Sequence, residues 1–307
     1  MSSFQKAAEI TCLKMRDLFP ETPLQKNEYL SNIYGANIYL KREDLSPVRS
    51  YKIRGAFNAM GKAIEAGETA QFVCASAGNH AQGFAYACQH FGVKGRIYMP
   101  VTTPQQKITK TASFGGKTIE IIMQGDYFDE TLKAAIQYSN DTGAAMLPPF
   151  DHLDVIEGQA SVGVEILNQL GTTPDMIITP VGGGGLSSGL VKYFDKKNVD
   201  FKFCEPEGGR SLYHALHAKK LVTLDYVDNF VDGAAVARIG NNNFKILKHI
   251  KNIVLEKFPE LVPEYFYESF IVPEAIYNRN DVYVGYEVDL ENDLFTHFEE
   301  VWYRDDE

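Results

Sequence analysis

The residues of this chain best suited to covalent chemistry lie in three runs: SYKIRGA at 50–56, with Lys52 inside it, SAGNHAQG at 76–83, and GGGGL at 182–186. A lysine that forms an imine needs a neutral amine near physiological pH, which burial or a cationic neighbour provides by lowering its pKa. Arg54, two residues on, is read as that neighbour. Four consecutive glycines let backbone amides converge on an anion with no side chain in the way, most effectively where the run opens a helix. An imine-forming lysine, a polar loop and an anion cradle together point to pyridoxal phosphate.

Those residues need elements to hold them. Helical periodicity at the N-terminus is followed by an apolar run at 37–40 and a helix at 55–66. From there strand and helix alternate: strands at 72–76, 95–99, 118–123, 144–147, 176–180 and 200–205, helices at 80–91, 104–114, 128–142, 156–170 and 187–195. Near-continuous apolar strands in this rhythm predict parallel sheet covered on both faces. The glycine run then occupies a strand-to-helix turn, where ligands of such sheets bind. Beyond Gly240 the pattern changes to a basic amphipathic helix at 241–253, an aromatic, acidic and proline-rich stretch, an alternating strand-like run at 281–288 and a short helix at 294–302.

Composition narrows the class. The 307 residues, 45% apolar and 23% charged, can bury a full core with room for two modest domains. No run of eighteen apolar residues is present, and the first residues mix charge into an amphipathic helix, so membrane insertion and secretion are not expected. Cys12, Cys74, Cys88 and Cys204 lie far apart without metal-type spacing, which suits a reducing cytoplasm. A net charge of −10 argues against a nucleic-acid partner.

Seven ordered blocks carry a resemblance: ETPLQ at 21–25, YLKREDLSPVRSYKIRGAFNAM at 39–60, CASAGNHAQG at 74–83, MPVTTPQQK at 99–107, PPFD at 148–151, PVGGGGL at 180–186 and VDGAAV at 231–236. The chain resembles the threonine dehydratase (threonine ammonia-lyase) family of pyridoxal-phosphate enzymes, in the tryptophan synthase β-like fold group. The resemblance implies two α/β domains, each a mainly parallel sheet flanked by helices (fold type II). A larger, cofactor-phosphate domain would hold 1–45 and 146–240, and a smaller one, 46–145, would be inserted in it. It also implies deaminating dehydration of L-threonine or L-serine, in isoleucine biosynthesis or threonine catabolism, by a homo-oligomer. Lys52 would bond the cofactor and take the Cα proton. Ser76, Ala77, Gly78 and His80 would receive the substrate carboxylate, with no proton assigned to His80. Asn79 would hydrogen-bond the cofactor's phenolic oxygen, and Gly182, Gly183, Gly184, Gly185 and Leu186 its phosphate, itself on the side where it could protonate the leaving hydroxyl.

Other readings stand beside these. Ser-Ala-Gly-Asn also makes a helix-capping turn, and Gly233 either passes the cofactor's edge or serves a tight turn. Glu205 resembles a glutamate that ligates a divalent cation in related serine racemases, but Ser211 stands six residues on where a carboxylate is needed, so no metal is expected. The blocks stop near Gly240. No alanine- and glycine-rich EPAGA-type helix follows, nor a strand ending in the hydroxyl residue that meets the pyridine nitrogen in relatives. Ser269 is the only serine in the tail. The divergent 241–307 segment faintly resembles an ACT-like regulatory domain. The alternative to an active lyase is therefore a shortened paralogue that binds cofactor or partner subunits without turnover.

Overall fold

The computed structural model describes residues 2–67, 71–228 and 230–257. Helix α1 (Ser3–Lys14) opens on a capping box in which the Ser2 hydroxyl accepts from the Gln5 amide and the Gln5 side chain accepts from the Ser2 amide. A short strand β1 (Leu24–Lys26), helix α2 (Glu28–Tyr34) and strand β2 (Tyr39–Lys41) follow, with β1 and β2 paired antiparallel. Helix α3 (Lys52–Glu65) then leads into β3 (Gln71–Ala75), α4 (Asn79–Phe91), β4 (Lys94–Met99), α5 (Gln105–Gly115), β5 (Ile119–Met123), α6 (Phe128–Thr142) and β6 (Ala145–Met146). These four strands form one parallel sheet in the order β5-β4-β3-β6.

Helix α7 (Leu153–Leu170) starts a second unit with β7 (Met176–Pro180), α8 (Gly185–Tyr193), β8 (Asp200–Cys204), α9 (Ser211–His217) and α10 (Asn241–Lys257). Strands β7 and β8 pair in parallel. One core cluster lies around β3 and α4, with Phe72, Phe84, Ile97 and Met99 fully buried, and another joins α1, α7 and α8. The two meet where α3 crosses α7 at backbone contact. A Cβ on Gly158 would lie 2.5 Å from the Arg54 carbonyl oxygen and 2.7 Å from Gly55 Cα, so that position must be glycine for the crossing to close, while one on Gly55 would meet the Gln159 and Val155 side chains.

The strand and helix alternation agrees with the expectation, and the ends differ by one to three residues at most positions. β1, α2 and α9, each of seven residues or fewer, were absent from it, and so was the extension of α3 back to Lys52. Short elements carry too few periods to register as a pattern. Residues 176–179 of β7 line a cavity of about 760 Å³ together with Tyr39 and Lys41 of β2 and Ile166 of α7. The expected strand at 281–288, the helix at 294–302 and Ser269 lie outside the described residues.

Candidate active site

Lys52 is the first residue of α3, half-buried, and its amine donates to the Pro149 carbonyl at 3.3 Å. The same nitrogen lies 5.4 Å from the Tyr51 ring centroid and 5.8 Å from that of Phe150, within cation–π range of both. Helix α4 sits directly on this start. A Cβ on Gly83 would lie 2.8 Å from the Ile53 nitrogen and 3.0 Å from the Lys52 carbonyl carbon. Glycine in SAGNHAQG therefore lets the polar loop approach the lysine's own backbone.

Arg54 is not the cation that activates the amine. Two residues along a helix turn a side chain to the opposite face, and Arg54 points away into a fully buried ion cluster. Its guanidinium bonds Glu43 at 2.7 and 2.8 Å and Glu165 at 2.8 Å from two nitrogens, while Glu165 also meets Lys41 at 2.6 Å. Burial opposes its charge, yet the two carboxylates leave its pKa raised. Its charge is spent on structure.

Ser76, Ala77, Gly78 and Asn79 lie half-buried at the end of β3 and the start of α4. The Ser76 hydroxyl accepts from the Gly78 amide. His80 turns inward: its Nε2 lies 3.0 Å from the Leu147 carbonyl, which accepts, so that nitrogen carries the proton. Burial first, then the positive charge of Lys52, hold the imidazole at about 3 against this bond. Held neutral, with its Nε2–H given to Leu147, the ring is a poor proton donor to a ligand.

The tetraglycine turn bridges β7 and α8. Gly184, at φ +87°, is the N-cap of α8, a left-handed position suited to glycine. Among the described residues no acceptor is found for the amides of Gly182, Gly183 and Gly184, and the Ser188 hydroxyl in the next turn is buried without a partner. Phe150 packs onto the turn: a Cβ on Gly183 would lie 2.2 Å from its ring and one on Gly185 3.1 Å from its Cβ. The amine of Lys52 and the glycine turn thus both lie beside one phenyl ring. The Gly233 carbonyl lies 3.2 Å from the position of a Gly182 Cβ, bringing the 231–236 segment against the turn. Beside it, Asp232 pairs with Lys107 of α5 at 2.6 Å. Leu186 buries its side chain in the second core, leaving its backbone to the turn.

Glu205 has a structural use. Its Oε1 accepts from the Leu212 amide at 2.7 Å and its Oε2 from the Tyr213 amide at 2.8 Å, capping α9. Burial lifts its carboxyl to about 8 against the pull of those amides and of Arg210. Among the described residues no three His, Cys, Asp or Glu side chains converge as a metal set.

A model of the family described as pyridoxal-phosphate dependent enzyme matches residues 15–257, which includes α10 as well as the two sheets. The chain belongs to that family. It is similar to L-threonine dehydratase biosynthetic IlvA of Bacillus subtilis, at 45% identity over 253 residues, 81% of this chain and 58% of the relative. Among solved structures it resembles the processed form of threonine deaminase isoform 2 from Solanum lycopersicum, with a TM-score of 0.74 at 38% identity over 81% of this chain and 72% of that one. A second threonine deaminase, from T.th., superimposes with a TM-score of 0.72 at 30% identity, over 79% and 78% of the two chains. The fold is the tryptophan synthase β-like fold of this threonine dehydratase branch. The chain spans a little over half the length of the curated relatives it matches, 58% of the Bacillus subtilis protein.

The residues present suit the family's cofactor. A primary amine, a glycine turn whose amides find no acceptor among the described residues, and a helix N-terminus behind it are the donor set that an aldehyde bearing a phosphate requires. Lys52 and the glycines are the residues of this set that the sequence alone marks as candidates. Phe150, in the PPFD block, has no role marked in the sequence, because nothing in a lone phenylalanine shows that it will lie beside both the amine and the glycine turn.

Proposed function

We propose that this chain binds pyridoxal phosphate through Lys52 and the turn of Gly182, Gly183, Gly184 and Gly185, and converts L-threonine or L-serine to 2-oxobutanoate or pyruvate and ammonia. The observation that carries the reading is that the Lys52 amine and the tetraglycine turn both lie beside the same residue, Phe150. When bound, the cofactor supplies the electron sink that makes the substrate Cα–H acidic. Lys52 Nζ then takes that proton, which needs the amine neutral and within reach of the carbon. The amides around Ser76, Ala77, Gly78 and His80 hold the substrate carboxylate, and Asn79 orients the ring. Across the whole reaction water leaves from Cα and Cβ, and hydrolysis of the product releases ammonia. Residues 46–145 act as a smaller domain inserted in the larger one of 1–45 and 146–240. The four buried cysteines fit a cytoplasmic protein, and a homo-oligomer is part of the same reading. Purified protein is expected to show the visible absorbance of a lysine-linked pyridoxal phosphate, to lose it in Lys52→Ala, and to release a 2-oxo acid from L-threonine. Absorbance without oxo acid would select the binding-only alternative, and no absorbance would overturn both.

A further inference from the structure

We propose that Asn243 is a positioning residue for the phosphate cradle, acting through the Gly183 carbonyl to turn the Gly184 N–H toward the bound anion. The inference rests on the reading that the tetraglycine turn receives the cofactor phosphate.

Asn243 lies in the first turn of α10 and is completely buried. Its Nδ2 donates to the Gly183 carbonyl at 2.8 Å and to the Phe150 carbonyl at 3.3 Å. Both partners are acceptors only, which fixes the amide orientation, because the flipped form would set oxygen against two carbonyls. The Gly240 amide adds a second donor to Gly183 at 3.2 Å. In a trans peptide the C=O of one residue and the N–H of the next point in opposite directions. Two donors gripping the Gly183 oxygen from the α10 side therefore send the Gly184 N–H to the other side, where no group among the described residues claims it.

The donor is itself held in place. Asp151 accepts from the Asn241 amide at 2.8 Å and from the Asn242 amide at 2.9 Å, pinning the start of α10 to the segment that carries Phe150. Carboxylate at a helix N-terminus is a favourable arrangement. Asn243 keeps its Oδ1 buried with no partner among the described residues, an unfavourable feature for a side chain serving packing alone. What the asparagine provides at this position is the donor.

The test compares binding of pyridoxal 5′-phosphate with binding of pyridoxal, which lacks the phosphate, in the full chain and in Asn243→Leu and Asn243→Ala. The wild-type protein is expected to prefer the phosphorylated ligand strongly, and both variants to lose about tenfold of that preference with pyridoxal binding unchanged. A variant that folds less completely weakens both ligands alike, so the ratio reports the cradle rather than stability. An undiminished preference in the variants would overturn the role of Asn243 while leaving the cradle intact. A wild-type protein without the preference would overturn the reading of the turn, and this assignment with it. Should neither variant fold, the 15N-glycine-labelled wild type decides: the Gly184 amide resonance shifts on titration with inorganic phosphate, and a stationary resonance contradicts the proposal.

Discussion

Gly183 is the residue on which the turn is least forgiving, because a Cβ there would enter the Phe150 ring at 2.2 Å. Gly183→Ala must push a ring that also lines the lysine, so we expect a loss of about 1–3 kcal/mol in stability and at least a tenfold weaker cofactor affinity, read by urea unfolding and by titration of the visible band. His80 supplies a second test. Its folded pKa, about 3 against the 6.5 of an unperturbed imidazole, means the unfolded chain binds the extra proton. The stability it contributes is complete above pH 6.5 and is lost as pH falls toward 3, at about 1.4 kcal/mol per pH unit within that window. His80→Gln is expected to flatten the acid limb of a stability profile by about one proton; an unchanged slope would contradict the assignment. The lysine and the glycines could be picked out as candidates because their chemistry is written in residue type. Arg54 was misread, since adjacency in sequence says nothing about which helix face a side chain takes.

At the scale of elements, the crossing of α3 and α7 is held by buried charge as much as by glycine. Glu165 lies in the interior with Arg54, Lys41 and Arg16 around it. Burial would raise its pKa, but Arg54 and Lys41 outweigh it and hold the carboxyl at about 2. Its contribution is therefore present above pH 4.5 and disappears as pH falls toward 2. Glu165→Ala leaves three cations with one carboxylate fewer and is expected to cost about 3–5 kcal/mol, measured by denaturant unfolding. The Lys107–Asp232 pair contrasts with this: 37% and 66% exposed, it is expected to contribute less than about 1 kcal/mol. Repeated long helices and apolar strands made the α/β order readable. The clasp of Asp151 on Asn241 and Asn242 was not, because it joins residues some ninety positions apart through backbone amides that leave no mark on side-chain pattern.

Across the whole molecule, the lysine and polar loop are carried by α3 and α4 beside the four-stranded sheet, and the glycine turn by the β7–β8 unit, so a ligand touching both ties the two together. Cofactor at 100 times its Kd is expected to stabilise the fold by about 2.7 kcal/mol, seen as a concentration-dependent rise in Tm. A Tm indifferent to cofactor would argue against binding to the native state. The most direct test of the account is chemical. The cofactor-loaded protein is reduced with borohydride, digested, and its peptides weighed. The account predicts a phosphopyridoxyl mass on Lys52 and on no other lysine. A label elsewhere, or none, would contradict it.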